Sequence, residues 1–191
     1  RIKHLGIARR AANGIELRVH PTLIPTEELL ANVNGVKNAV LVQSNAVGPT
    51  LYYGAGAGAG PTASAVVADV VDIVRDILYT EDGAGTIPQL AFENLSDLPI
   101  LSREEMTTGH YIRINAEDQT GVLADVTTIL SRAGISIDAI MQQPRLKDLI
   151  PIVILTDPIV ESKMDEALAQ IQALPAIHGE IVRIRLESLD N

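Results

Sequence analysis

Hydrophobic and polar positions change their period several times along this chain. Ile2 to Arg10 reads as a strand, and beyond the Asn13-Gly14 turn Ile15, Leu17 and Val19 alternate with Glu16, Arg18 and His20, which predicts a β-hairpin. Pro21 and Pro25 are expected to stop the second strand, and Thr26, Glu27 and Glu28 to open one short helical turn. Asn38 to Gln43 and Pro49 to Tyr53 predict two more strands joined by residues 44–48. Next comes a run in which Gly54, Gly56, Gly58 and Gly60 are interleaved only with alanine. After Pro61, Thr62 is placed to act as an N-cap. Ala63, Val66, Val67, Val70, Ile73, Val74 and Ile77 then fall on one helical face, opposite Asp69, Asp72, Arg75 and Asp76.

From Thr80 to Gly109 no period is sustained, which marks a connector. Order returns with Ile112 and Ile114 in a strand and with a helix face of Val122, Leu123, Val126, Ile129 and Leu130 closed by Gly134. Ile135, Ile137 and Ala139 alternate in a second strand, and residues 150–156 form a third. Met164, Leu168, Ile171 and Leu174 stripe a helix ended by Pro175, and Val182, Ile184 and Leu186 alternate in a last strand. The order β-α-β-β-α-β puts two helices on one face of an antiparallel sheet and leaves the other face and the edges for a second copy.

The expected class is α+β, divided into an incomplete N-terminal portion of hairpins plus one helix over residues 1–79, a connector over 80–109 and a ferredoxin-like unit over 110–191. The N-terminal portion reads as incomplete because its valine-rich stripe has no second helix to cover it. Together with an initial arginine, this gives the expectation that an upstream part precedes the chain.

Composition narrows the choices. A formal net charge of −9 over 191 residues argues against a phosphate-neutralising face, and 3% aromatics removes the stacking platforms that single strands need, so nucleic acid is not an expected partner. The absence of cysteine excludes disulfides and thiolate chemistry and fits a cytoplasmic setting. No apolar run is long enough to span a bilayer, and no membrane partner is expected. His4, His20, His110 and His178 have no i, i+4 pairing and no carboxylate at ligand spacing, so no metal site is expected. A Gly-rich turn opening a helix exposes unpaired N–H groups and suits a polar or anionic ligand, while the same run also serves as a close-packed bend. Its spacing departs from the G-x-G-x-x-G dinucleotide pattern, with no acidic residue closing a second strand about twenty residues on.

Two resemblances sharpen this. Asp118-Gln119-Thr120-Gly121-Val122-Leu123-Ala124 and Ala133-Gly134-Ile135-Ser136-Ile137 make residues 110–187 resemble an ACT domain, the amino-acid-sensing module of metabolic enzymes. That likeness implies an effector site at Asn115, Asp118, Gly121, Val122 and Leu123, with helix N–H groups for a carboxylate and Asp118 for an ammonium. Thr120 stands where the family often has proline.

Ile2 to Ala8, Val19 to Pro25, Asn38 to Val40, Ala46 to Gly48, and Gly54 to Gly58 with Thr62-Ala63 follow one another as in the end of the catalytic region of homoserine dehydrogenase, and residues 1–78 resemble that region. The resemblance implies an NADP- or NAD-dependent interconversion of L-aspartate 4-semialdehyde and L-homoserine, with Gly58, Ala57 and Gly56 lying against the dinucleotide. It implies threonine as feedback effector and a homodimer or tetramer. It places the catalytic residues upstream, so none is expected within these residues and the fragment alone is expected to be inactive. The competing expectation is a free-standing ACT-type amino-acid-binding regulator without catalysis.

Overall fold

The structure, a computed structural model, describes residues 1–79, 96–144 and 149–189. Backbone contacts divide the chain into two units, Arg1–Thr26 with Pro99–Asp190, and Glu27–Leu98. The expected break after residue 79, with a connector to 109, is therefore not where the contacts divide the chain. Residues 80–95 of that connector lie outside the described residues. Its remainder carries a 3₁₀ turn at Arg103–Glu105, where Ser102 and Glu105 form a reciprocal capping box, and the start of a strand at Thr107.

In the first unit, strands β1 (Ile2–Ala11) and β2 (Gly14–Leu23) form the expected hairpin, in register from Ile2–Leu23 to Ala11–Gly14. Pro21 does not stop β2, which runs on to Leu23. The C-terminal order is as the periodicity predicts: β5 (Thr107–Glu117), α2 (Val122–Arg132), β6 (Ile137–Gln142), β7 (Leu149–Val160), α3 (Glu161–Gln172) and β8 (Val182–Leu186). One six-stranded sheet in the order β1-β2-β8-β5-β7-β6 contains both sets. The hairpin joins it through a parallel pairing of Thr22 and Leu23 with Arg185 and Leu186. An edge strand with open N–H and C=O groups invites such pairing. The alternation that identifies β2 and β8 as strands carries no information that they meet.

Ile112, Ile114 and Ala116 of β5 and Ile152 and Ile154 of β7 pack under Val122, Val126 and Leu130 of α2 and Met164, Ala167 and Ile171 of α3. Each such side chain contributes about 1.5–3 kcal/mol by leaving water. Gly134, at φ +72°, ends α2 as expected, with the Gly134 and Ile135 N–H groups donating back to Ser131 and Leu130.

On β2 and β8 the alternation reads inside out. Glu16 and Arg18 are buried, whereas Leu17 and Val19 are exposed, and it is Arg183 and Arg185 that share the face of His110 and Ile112. Ion pairs hold the polar set inside: Arg18 Nε lies 2.6 Å from Glu16, and Arg9 and Arg18 both reach Glu187.

In the second unit, β3 (Lys37–Ser44) and β4 (Gly48–Ala55) form a two-stranded ribbon, preceded by a 3₁₀ turn at Leu30–Asn32 and followed by α1 (Ala59–Tyr79). Helix α1 starts three residues before the expected cap at Thr62, whose N–H instead donates to Gly58 O at 3.0 Å. Pro61 is accommodated because a first-turn N–H has no intrahelical acceptor. Val66, Val67, Val70, Ile73, Val74 and Ile77 are all exposed, from 46% at Val74 to 74% at Ile77. No helix among the described residues is long and apolar enough to cross a membrane.

Candidate functional sites

The first candidate is the turn from β4 into α1. Gly56, Ala57 and Gly58 are exposed there. Gly58 has φ +123°, a conformation L side chains rarely adopt, and a Cβ built on Gly56 would come within 1.9 Å of the Asn38 side-chain nitrogen. Only glycine therefore lets Asn38 and the turn approach this closely. The first turn of α1 holds no acidic residue, and its leading N–H groups have no carboxylate of their own segment to neutralise them.

The second candidate is the β5–α2 junction. Gly121 has φ +101° at the N-cap of α2, no side chain caps the helix, and the Asp125 N–H donates to Gly121 O at 2.9 Å. Val122 is 8% exposed and belongs to the core, and Leu123 packs against that core, so these two offer a ligand backbone rather than side chains. Asn115 pairs with Pro151 on the sheet face opposite Ile114 and Ala116. Its side chain is thus turned away from the face on which α2 lies, although its carbonyl accepts from the His178 N–H at 2.9 Å. Asp118 is exposed between Asn115 and Gly121.

Sequence reasoning missed two residues at this junction. Glu117 takes His178 Nε2 at 2.7 Å and the Gln119 side-chain amide at 2.5 Å, which brings the residues before β8 against the end of β5. His178 and Glu117 are 61 positions apart, and spacing along the chain holds no trace of the pair.

A third cluster, buried at the start of α3, was also not foreseen. Glu161 is fully buried and accepts from Thr108 Oγ1 at 2.7 Å and from Arg185 Nε and Nη2, both at 2.8 Å. Arg183 reaches Glu161 and Asp165, and Asp165 also takes Arg103 at 2.7 Å. Burial by itself raises the Glu161 carboxyl, but hydrogen bonds from Arg185 and Thr108 and the charge of Arg183 outweigh it and hold the pKa down at about 2. Burial, and then the charge of Arg183, push the His110 imidazole down to about 4. Arg183 Nε–H donates to His110 Nδ1 at 3.2 Å, which fixes the neutral tautomer with its proton on Nε2, facing Thr108 Oγ1 at 3.3 Å. No group of three or more His, Cys, Asp or Glu placed to hold a metal ion occurs among the described residues.

Both candidate sites lie in segments with recognisable relatives. Residues 1–71 match the family model described as homoserine dehydrogenase, and residues 110–174 match that of the ACT domain. Over the whole of this chain there is 53% identity to a homoserine dehydrogenase of Pseudomonas aeruginosa, and over 99% of it 48% identity to one of Neisseria gonorrhoeae. The crystal structure of a homoserine dehydrogenase from Thiobacillus denitrificans superposes with a TM-score of 0.89 over 99% of this chain at 56% identity. This chain spans 44% of the length of each of those two curated relatives and 43% of the crystallised chain.

Proposed function

We propose that this chain, which belongs to the homoserine dehydrogenase family, supplies the C-terminal portion of an NAD(P)-dependent enzyme that interconverts L-aspartate 4-semialdehyde and L-homoserine in the cytoplasm. The observation that carries the reading is the pairing of an exposed valine-rich helix with the small-residue turn that opens it. Helix α1 exposes Val66, Val70, Ile73 and Ile77 with no described element over them, as a helix does when its covering sheet lies in another segment. Gly56, Ala57 and Gly58 then form one wall of the dinucleotide site. The fit is steric and electrostatic: Gly56, Ala57 and Gly58 are exposed and carry nothing larger than a methyl group, and the helix end presents N–H groups without a competing carboxylate. The dinucleotide, when bound, supplies the hydride, and this chain's residues place it and exclude bulk from its flat face.

In this reading the chain carries a division of roles that crosses the shared sheet: 1–79 closes the catalytic region, 80–109 connects, and 110–191 is the regulatory ACT domain. Threonine is the effector, its carboxylate meeting the N–H groups at Gly121–Leu123 and its ammonium meeting Asp118, with Asn115 at the end of β5 hydrogen-bonding the ligand main chain. The protein acts as a homodimer or a higher even oligomer. The open face of the six-stranded sheet favours this, because Ile2, Leu17 and Val19 are exposed on it beside Leu23 and Leu186.

The test is enzymatic. Residues 1–191 alone are expected to show no NADPH oxidation with aspartate semialdehyde, and the enzyme carrying the upstream segment is expected to show it. Activity in the isolated chain, or none in the longer one, would overturn the reading.

A further inference from the structure

The hairpin meets the C-terminal fold through only two backbone pairs at β8, against ten pairs within the hairpin itself. So short a ladder is weak on its own. What reinforces it is Glu187, one residue beyond β8. This carboxylate is 7% exposed, takes the guanidinium groups of both Arg9 on β1 and Arg18 on β2, and its backbone N–H donates to Leu23 O at 3.0 Å. Two residues back along the same strand and on the same face, Arg185 binds Glu161, the first residue of α3. Two sets of ion pairs therefore sit on one face of this strand, Arg185 with the α3 N-terminus and Glu187 with both strands of the hairpin. The turn end of the hairpin has its own fastening, because Ile15 exchanges backbone hydrogen bonds with Pro99 and Leu101 at 2.8 and 2.9 Å.

We propose that the β2–β8 junction is a transmission joint, in which Glu187 acts as a positioning residue that makes the N-terminal hairpin move with the C-terminal α/β fold. In the clamped arrangement the hairpin follows the sheet, and in the loosened one it is held only by the short β8 backbone pairing and at Ile15. A ligand that favours one arrangement of the C-terminal fold is then felt by the hairpin through this side chain. What the joint transmits rests on the feedback reading above; that the joint exists does not.

The two are separated by experiment. Hydrogen exchange on the 191-residue chain comes first. Glu187→Gln is expected to speed exchange of the Arg18–Leu23 amides about tenfold or more, while β5 and β7 amides stay within about twofold of the parent. Arg9→Gln, at a partly exposed position, is expected to give a smaller change in the same amides and serves as the test should Glu187→Gln fail to fold. Unchanged hairpin exchange in the folded variants, or equal loosening of β5 and β7, would overturn the joint. In the longer enzyme, Glu187→Gln is expected to keep basal NADPH oxidation and threonine affinity within about twofold while the maximal inhibition falls by at least half. Inhibition unchanged, or lost in step with affinity, rejects Glu187 as the transmitting group. A parent enzyme that neither binds threonine nor is inhibited by it rejects the feedback reading, and the exchange measurement still judges the joint.

Discussion

Helices α1 and α2 carry the same kind of pattern and come to rest in opposite surroundings. The eleven residues of α2 put Val126 and Leu130 at 0% exposure against β5 and β7, whereas the 21 residues of α1 leave Val67 at 61% and Ile77 at 74%. A 3.6-residue stripe states that a face is to be covered and says nothing of what covers it. For α2 the cover is the adjacent strands of the same unit. For α1, none of the stripe residues is buried among the described residues, so its stripe is a face still to be covered.

This contrast can be tested by perturbing each side. The largest effect is expected at the buried end of the packed region. Glu161→Ala removes the acceptor of Arg185 and leaves Arg183 with the Asp165 carboxylate alone, and should cost about 3–5 kcal/mol, read as the loss of urea resistance of the β5 and β7 amides. A cost below about 1 kcal/mol would show that the two arginines find other partners.

Acid provides the next largest. His110 titrates near 6.5 unfolded and about 4 folded, so the unfolded chain takes up the proton first and stability falls as pH drops from 6.5 to about 4. Glu161 has an ordinary value of 4.5 and a folded value of about 2, so its contribution is complete above 4.5 and disappears as pH falls to about 2. Both act in the same direction. The His110 part amounts to on the order of 2–3 kcal/mol and should vanish in a His110→Gln variant followed by urea melts at pH 7 and pH 4.

The smallest change sharpens the comparison most. Val70→Ala in α1 should alter stability of the 191-residue chain by less than about 0.5 kcal/mol, whereas Leu130→Ala in α2 should cost about 3 kcal/mol. In the longer enzyme Val70→Ala should become costly. If it is already costly in this chain, α1 has a cover of its own.

The strands and helices of the C-terminal fold were legible because their local period, Gly134 and the β-α-β-β-α-β order agree with the packing they adopt. The faces of β2 and β8 were not. Alternation fixes which residues share a side, but the partners that make Arg18, Arg183 and Arg185 the inner set are Glu187 and Glu161, which lie 169, 22 and 24 positions away respectively. The Gly54–Gly60 run announced a close approach, and Asn38 as the group that approaches Gly56 could be found only once β3 was paired with β4. At the effector candidate, Gly121 was readable as a turn, whereas the His178–Glu117 contact depends on how residues 176–178 return to the sheet.

The hydrogen bonds that Ile15 shares with Pro99 and Leu101 have one more consequence. The polypeptide departs from the hairpin after Thr26 and is bolted back onto it at Pro99, so residues 27–98 are a detour with both ends on the same anchorage. Cutting the backbone anywhere along that detour severs no strand of the six-stranded sheet. The two resulting peptides stay joined through the β2–β8 pairs, the Glu187 contacts to Arg9 and Arg18, and whatever of the Ile15 fastening the cut leaves on the second peptide.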